Sequence, residues 1–199
     1  MKVTATSVAQ VIKKLENLLD SKRVQHSLGV AKVAVVLARK FGCDEKKAEL
    51  AAILHDCAKS MEKDTPQKYL KKYKIKATKA VLSSPQLIHT LLGPYVAKDI
   101  FKIKDKEILN AIRWHTTGRG GMSKLEKIIY IADYIEESRT IVSSANTRKL
   151  LGKKDISLDR LVYSVVKGKL KYLKKNKAVV NKDSIKLLNE MKEKTTKTK

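Results

Sequence analysis

Four histidines occur in this chain: His26, His55, His89 and His115. Each sits in an apolar helical context, in VQHSLGVAKVAVVLA, AAILHDCAK, QLIHTLLG and AIRWHTTG. Asp56 follows His55 directly, behind Leu50, Ala51, Ala52, Ile53 and Leu54, and Asp133 stands among Ile128, Ile129, Ile131 and Ile135. An ionised carboxylate taken out of water costs on the order of several kcal/mol unless something pairs with it. One histidine alone on an apolar face is more often a hydrogen-bonded core residue than a ligand. Four of them with two awkward carboxylates point elsewhere, because one shared metal site satisfies all six at once. Neutral imidazole and carboxylate are good ligands for first-row divalent metals, iron, manganese and cobalt among them. A nitrogen and oxygen donor set without thiolate fits one or two openly coordinated metals better than a closed structural zinc. As helix neighbours, His55 and Asp56 diverge by about 100°. They therefore serve different positions around one metal, or two metals if the carboxylate bridges.

Such a site makes hydroxide available near neutral pH and neutralises charge on phosphoryl oxygens. Lys59 lies one turn beyond His55, on the same face of the expected helix. It is placed to meet a phosphate, which makes Asp56 and Lys59 the expected catalytic pair. Thr116 and Arg119 follow His115 in a glycine-bearing loop, where their donors suit phosphate. Arg139 ends the Asp133 helix; it offers phosphate a bidentate fork or serves as a cation favoured by the helix dipole. Ala178, Val179 and Val180, in NKAVVN, either wall a base pocket or make a small core contact.

The elements that must carry these residues are helical. Apolar positions recur at three- and four-residue spacing, and no run alternates as a strand would. Ser7 caps SVAQVIKKLENLL, and Gly42 ends SKRVQHSLGVAKVAVVLARKFG. Asp44 caps EKKAELAAILHDCAKSM, which is expected to carry the His55–Asp56 pair inside one helix. TPQKYLKKY starts with Pro66 in its first turn. SPQLIHTLLGPYVAKDIF reads as helical with a disturbance at Gly93–Pro94. DKEILNAIRWHTTG is capped by Asp105, and Ser123 with Glu126 forms a capping box on SKLEKIIYIADYIEESR. SLDRLVYSVVKGKLKYLKKN and DSIKLLNEMKEK complete the series. The expected division is one domain over 1–190 and a basic, disordered tail over 191–199.

At 199 residues and 43% hydrophobic, the chain suits one globular domain. Its net charge of +24 comes from 44 Lys plus Arg against 20 Asp plus Glu. That charge attracts any polyanion, so a nucleic-acid-binding helical module with a vestigial metal site is an alternative of another class. Against it, the chain has only ten aromatics and no recognisable nucleic-acid-binding motif. Cys43 and Cys57 have no metal-like spacing, and a reduced, cytoplasmic setting is expected. VAVVLA falls well short of the roughly 20 residues a membrane span needs.

The order His26…His55-Asp56…Asp133 resembles the HD-domain phosphohydrolase superfamily. RVQHSLGVAKVAVVLA, AAILHDCAK, LIHTLLGPYVAK, AIRWHTTGR and MSKLEKIIYIADYIEESR are similar to its YqeK branch, bacterial hydrolases of diadenosine tetraphosphate. The resemblance implies an all-helical, single HD-domain bundle with a metal site in its core. It implies that His26, His55, Asp56 and Asp133 bind a first, iron-type metal. His89 and His115 would bind a second metal or the phosphate chain, with Asp56 as the bridge. The implied reaction splits diadenosine tetraphosphate or related dinucleoside polyphosphates symmetrically, giving two ADP. Another HD phosphohydrolase, acting on nucleoside phosphates or guanosine alarmones, is the neighbouring alternative.

Overall fold

A computed structural model describes residues 7–62, 66–77, 82, 84, 87–139 and 142–196. All regular structure among them is helical. Helix α1 (Val8–Glu16) starts at Ser7, whose hydroxyl accepts from the Gln10 amide while the Gln10 side chain returns to the Ser7 amide. Helix α2 (Ser21–Phe41) is capped by Asp20 and ends at Gly42, which takes the left-handed conformation at φ 63°. Asp44 caps α3 (Glu45–Leu54), and α4 (Pro66–Lys72) opens on its proline. Helices α5 (Ile88–Asp99) and α6 (Lys106–Trp114) follow, the latter capped by Asp105. The expected capping box of Ser123 and Glu126 starts α7 (Lys124–Ile135). Helices α8 (Val142–Leu151), α9 (Leu158–Lys175) and α10 (Lys182–Thr196) complete the chain.

Helix α7 is the axis of the bundle. Every residue from Leu125 to Ile135 except Lys127 is buried, as a helix apolar on all sides requires. It packs against α2, α3, α6, α8 and α9. Ile128, Ile129 and Ile131 are wholly enclosed, each worth about 1.5–3 kcal/mol of burial. No helix of the described residues is long and apolar enough to cross a membrane.

Four local expectations change. Helix α3 stops at Leu54 instead of carrying on through Met61, and a 3-10 turn covers Lys59–Glu62. The cause is the His55 ring, whose Nδ1–H donates to the Ala52 carbonyl at 2.6 Å. That carbonyl also accepts from the His55 amide, and the next amides bond three residues back: Cys57 to Leu54, Lys59 to Asp56. Helix α5 runs unbroken through Gly93–Pro94. Proline removes one hydrogen bond there, but Gly93 lets α5 approach α6 closely. A Cβ on it would stand 2.7 Å from Ile112 Cγ2. Helix α8, not anticipated, buries only Ser144 and Thr147, so its sequence shows no apolar stripe. Helix α10 continues to Thr196 with Met191 buried, so residues 191–196 of the expected tail are helical. Residues 197–199 lie outside the described residues, as do Thr65, Pro85 and Gln86 of the expected helices.

Candidate metal centre and its cavity

The centre forms where α2, α3, α5, α6 and α7 converge. His55 and His115 arrive by the same local device. Each stands one residue past a helix, and each donates Nδ1–H to the carbonyl three residues back, Ala52 at 2.6 Å and Ile112 at 2.8 Å. The bond satisfies a helix-end carbonyl and fixes the tautomer, so Nε2 presents its lone pair inward. His26 reaches the same geometry through a side chain. Its Nδ1 faces Glu136 Oε2 at 3.1 Å, and Glu136 is held in turn by the Ser138 amide at 3.0 Å and hydroxyl. Gly29, one turn along α2, leaves room for that carboxylate; a Cβ would meet Glu136 Oε1 at 2.7 Å.

The inward atoms crowd around two carboxylates. Asp133 Oδ1 lies 3.3 Å from His26 Nε2 and 3.9 Å from His55 Nε2. Asp56 Oδ2 lies 3.7 Å from His55 Nε2, while its Oδ1 faces His89 Nε2 at 3.2 Å and His115 Nε2 at 3.5 Å. His26, His55 and Asp56 form one group whose donor atoms all lie within 4.8 Å of each other, and Asp56, His89 and His115 form a second. Asp56 belongs to both, as a bridge would. The Nε2 atoms of His26 and His55 are buried with no hydrogen-bond partner. Buried polar atoms are ordinarily satisfied; two imidazole lone pairs aimed at shared carboxylates fit a divalent cation.

Electrostatics agree. Burial pushes His55 down to about 4, keeping it neutral, and burial lowers His115 as well. Burial alone would raise Asp56, but His55, His115 and His89 around it hold it well below the ordinary range. Asp133 is likewise held down against burial by His26, Lys169 and Arg139. Burial alone would lower His26, but its hydrogen bond to Asp133 and that carboxylate's charge raise it. It is therefore His55 and His115 that are held in the neutral state metal ligation needs, beside ionised carboxylates.

A cavity of about 390 Å³ opens over the centre. Lys59, His89, His115, Thr116, Arg139 and Val179 line it, as anticipated from the sequence. Lys59 gets there by the 3-10 turn, not along a helix face, and its Nζ lies 3.2 Å from His89 Nδ1. Thr116 Oγ1 is 2.8 Å from His115 Nε2. The Asp133 helix stops at Ile135, so Arg139 does not end it as expected but stands four residues beyond, donating to the Asp133 carbonyl at 3.2 Å and to Asp133 Oδ1 at 2.7 Å while facing the cavity. Arg119 does not reach the cavity. Its fork closes on buried Glu126 at 2.8 and 3.0 Å, a pair that braces the start of α7. Ala178 and Val180 do not line the cavity either; only Val179 of that trio does.

Sequence reasoning missed several lining residues. Arg23 donates to Asp56 Oδ2 at 3.2 Å; it stands one turn before His26 on α2, a spacing that was legible. Lys169 donates to the carbonyls of His115 and Thr116 at 3.3 and 3.2 Å and lies 3.9 Å from Asp133. Burial pushes its ammonium down to about 8. It interrupts the buried stripe of Val162, Val165 and Val166, a signal of the same kind as Asp133. Tyr134, Leu170, Tyr172 and Leu173 give the outer cavity an aromatic and aliphatic wall.

Helical bundles that gather buried imidazoles and carboxylates around a shared aspartate, beneath an open cavity, bind divalent metal. The chain belongs to the HD domain family, whose pattern matches residues 23–138. It is 39% identical over 162 residues to a symmetrical bis(5'-nucleosyl)-tetraphosphatase of Bacillus subtilis, covering 81% of this chain and 85% of that one. The protein of the same name from Staphylococcus aureus is 34% identical over 171 residues, covering 86% and 87%. The fold matches the crystal structure of an HD superfamily hydrolase from Clostridium acetobutylicum, described as predicted and as involved in NAD metabolism. The TM-score is 0.86 at 33% identity, covering 94% of this chain and 98% of that one.

Proposed function

We propose that this chain is a symmetrical dinucleoside tetraphosphate hydrolase that converts diadenosine tetraphosphate to two ADP. The carrying observation is the cluster of buried imidazoles around Asp56, opening on a cavity lined by both cations and apolar side chains. Curated relatives of that name, aligned over most of both chains, support the substrate.

We assign His26, His55, Asp56 and Asp133 to one metal, with iron favoured by the family resemblance and manganese or cobalt suited to the same donors. When bound, the metal lowers the pKa of a coordinated water and neutralises phosphoryl charge. Asp56 holds the centre of the site and accepts from its neighbours. Lys59, Arg23, Arg139 and Lys169 supply positive charge for the phosphate chain. His89 differs from the other histidines. Its Nδ1 faces the Lys59 ammonium, so its proton belongs on Nε2. We therefore assign His89 to donate to a phosphate oxygen, with His115 and Thr116 beside it. Tyr134, Leu170, Tyr172, Leu173 and Val179 receive the nucleoside. A cytoplasmic setting, with both cysteines reduced, fits such a substrate.

The site chooses the bond, because attack requires the nucleophile and leaving oxygen to be roughly in line. Depth that accepts one nucleoside and two phosphates sets the second phosphorus at the floor. Water oxygen joins that phosphorus, its bridging bond to the third phosphate breaks, and ADP leaves. Hydrolysis in oxygen-18 water should give two ADP, one labelled in its terminal phosphate. AMP and ATP as products would overturn the assignment.

A further inference from the structure

A second concavity, of about 570 Å³, lies between α5 and α6, away from the metal centre. Tyr95 and Lys98 face it from α5, Lys106 and Arg113 from α6, and Lys74 and Lys76 from the segment after α4. No carboxylate lines it. Among the described residues none of its four lysines forms an ion pair; Asp99 nearby is taken by Lys72 at 2.9 Å and Tyr73 at 3.0 Å. Arg113 is the informative member. Its guanidinium is partly buried, donates to Thr90 Oγ1 at 3.2 Å and lies 4.3 Å above the Trp114 ring. No carboxylate of the described residues comes within ion-pair distance of it. The Asp183 carboxylate acts on it only from beyond that distance; a partly desolvated cation without a paired anion is costly, and a planar fork so held suits phosphate.

We propose that this groove binds a single strand of nucleic acid. Arg113 stands seven positions after Lys106, about 10 Å along the helix. A stacked strand advances about 3.4 Å per nucleotide, so the cations track a chain instead of converging on one anion. Tyr95 packs on the Tyr73 ring at 5.5 Å between centroids but stays 40% exposed, and its exposed part gives a base an aromatic surface to stack on. Leu91 and Leu109 give the floor between the cations an apolar surface. The net charge of +24 supplies long-range attraction; the groove supplies the place. The proposal does not depend on the substrate assigned to the catalytic cavity.

Fluorescence anisotropy with a labelled single-stranded RNA of about twelve nucleotides, within the usual site sizes, tests it across a salt series. Lys98→Glu with Lys106→Glu should weaken binding at least about tenfold and flatten the salt slope by about 1.4, two contacts at about 0.7 each. Tyr95→Ala should weaken it about fivefold or more. Lys13→Glu with Lys14→Glu, on α1, should bind like the parent chain, and excess ADP should not displace the RNA. All these side chains are at the surface, and unfolding midpoints matching the parent would confirm the fold. Equal loss from the α1 variant would mean diffuse charge, and an unaffected Tyr95→Ala would remove the stacking. Displacement by ADP would move the RNA to the catalytic cavity, and equal competition by tripolyphosphate would reduce the groove to a simple anion site. Any of these, or no binding at low salt, overturns the proposal.

Discussion

Six side chains meet at the centre, and the imidazoles of His26, His55 and His115 are aimed by groups that lie outside it. Glu136 accepts from His26 Nδ1 and so turns Nε2 inward. Such outer partners are typically worth 10–100-fold in metal affinity. Glu136→Gln should therefore weaken metal binding by roughly that factor, read by chelator competition, with the fold intact. Asp56→Ala should lose metal and turnover together, since both donor groups contain it; full metal content in that variant would refute its assignment. Lys59→Ala should keep the His26–His55–Asp56–Asp133 metal while kcat/KM falls about 10–100-fold, the loss of one charge-assisted contact of about 1.5–3 kcal/mol. An unchanged rate at low substrate would return Lys59 to an ordinary surface role.

At the scale of elements, helix ends and close approaches set the geometry. Helices α3 and α6 both terminate on a histidine that folds back on its own helix, which puts His55 and His115 at fixed depth beside α7. Gly93 sets the distance between α5, which carries His89, and α6, which leads to His115. Gly93→Ala should force those helices apart, costing about 1–3 kcal/mol as overpacking does. Turnover should fall more than metal content, because His89 moves while His26, His55 and Asp133 stay. Denaturant unfolding beside metal analysis would show whether the two effects separate. Gly29→Ala should act in the opposite order, since its Cβ would displace Glu136 and thereby His26.

The whole molecule carries a cost that metal relieves. Two ionised aspartates and several imidazoles occupy the interior of a bundle whose core is built mainly of isoleucine, leucine, valine and alanine. A ligand that binds only the folded state stabilises it by about 2.7 kcal/mol at one hundred times its Kd. Metal at that excess should raise Tm by roughly 5–10 °C over stripped protein. In stripped protein His55 also sets a pH dependence. Its ordinary pKa is 6.5 and burial lowers the folded value to about 4. Between those values the unfolded chain binds a proton that the folded one refuses, so stability falls as pH falls from 6.5 toward 4. Urea midpoints measured across that window should decline, and His55→Asn should flatten the decline.

Much of this was legible along the chain, because it is local. Caps at Ser7, Asp44, Asp105 and Ser123 depend on residues three apart, and helical periodicity repeats within a turn or two. His26, His55, Asp56, His89, His115 and Asp133 stood out as polar groups in apolar surroundings, a conflict visible without coordinates. Tertiary structure decided what those groups face. The capture of the Ala52 carbonyl by the His55 ring ended α3 early and sent Lys59 to His89. Glu126 claimed Arg119 for the scaffold, while Arg23 and Lys169, unremarked in the sequence, were brought to Asp56 and Asp133. A basic side chain reads the same whether its partner is a buried carboxylate, a substrate or water. Only the packing of distant helices, Lys169 of α9 against Asp133 of α7, chooses among them.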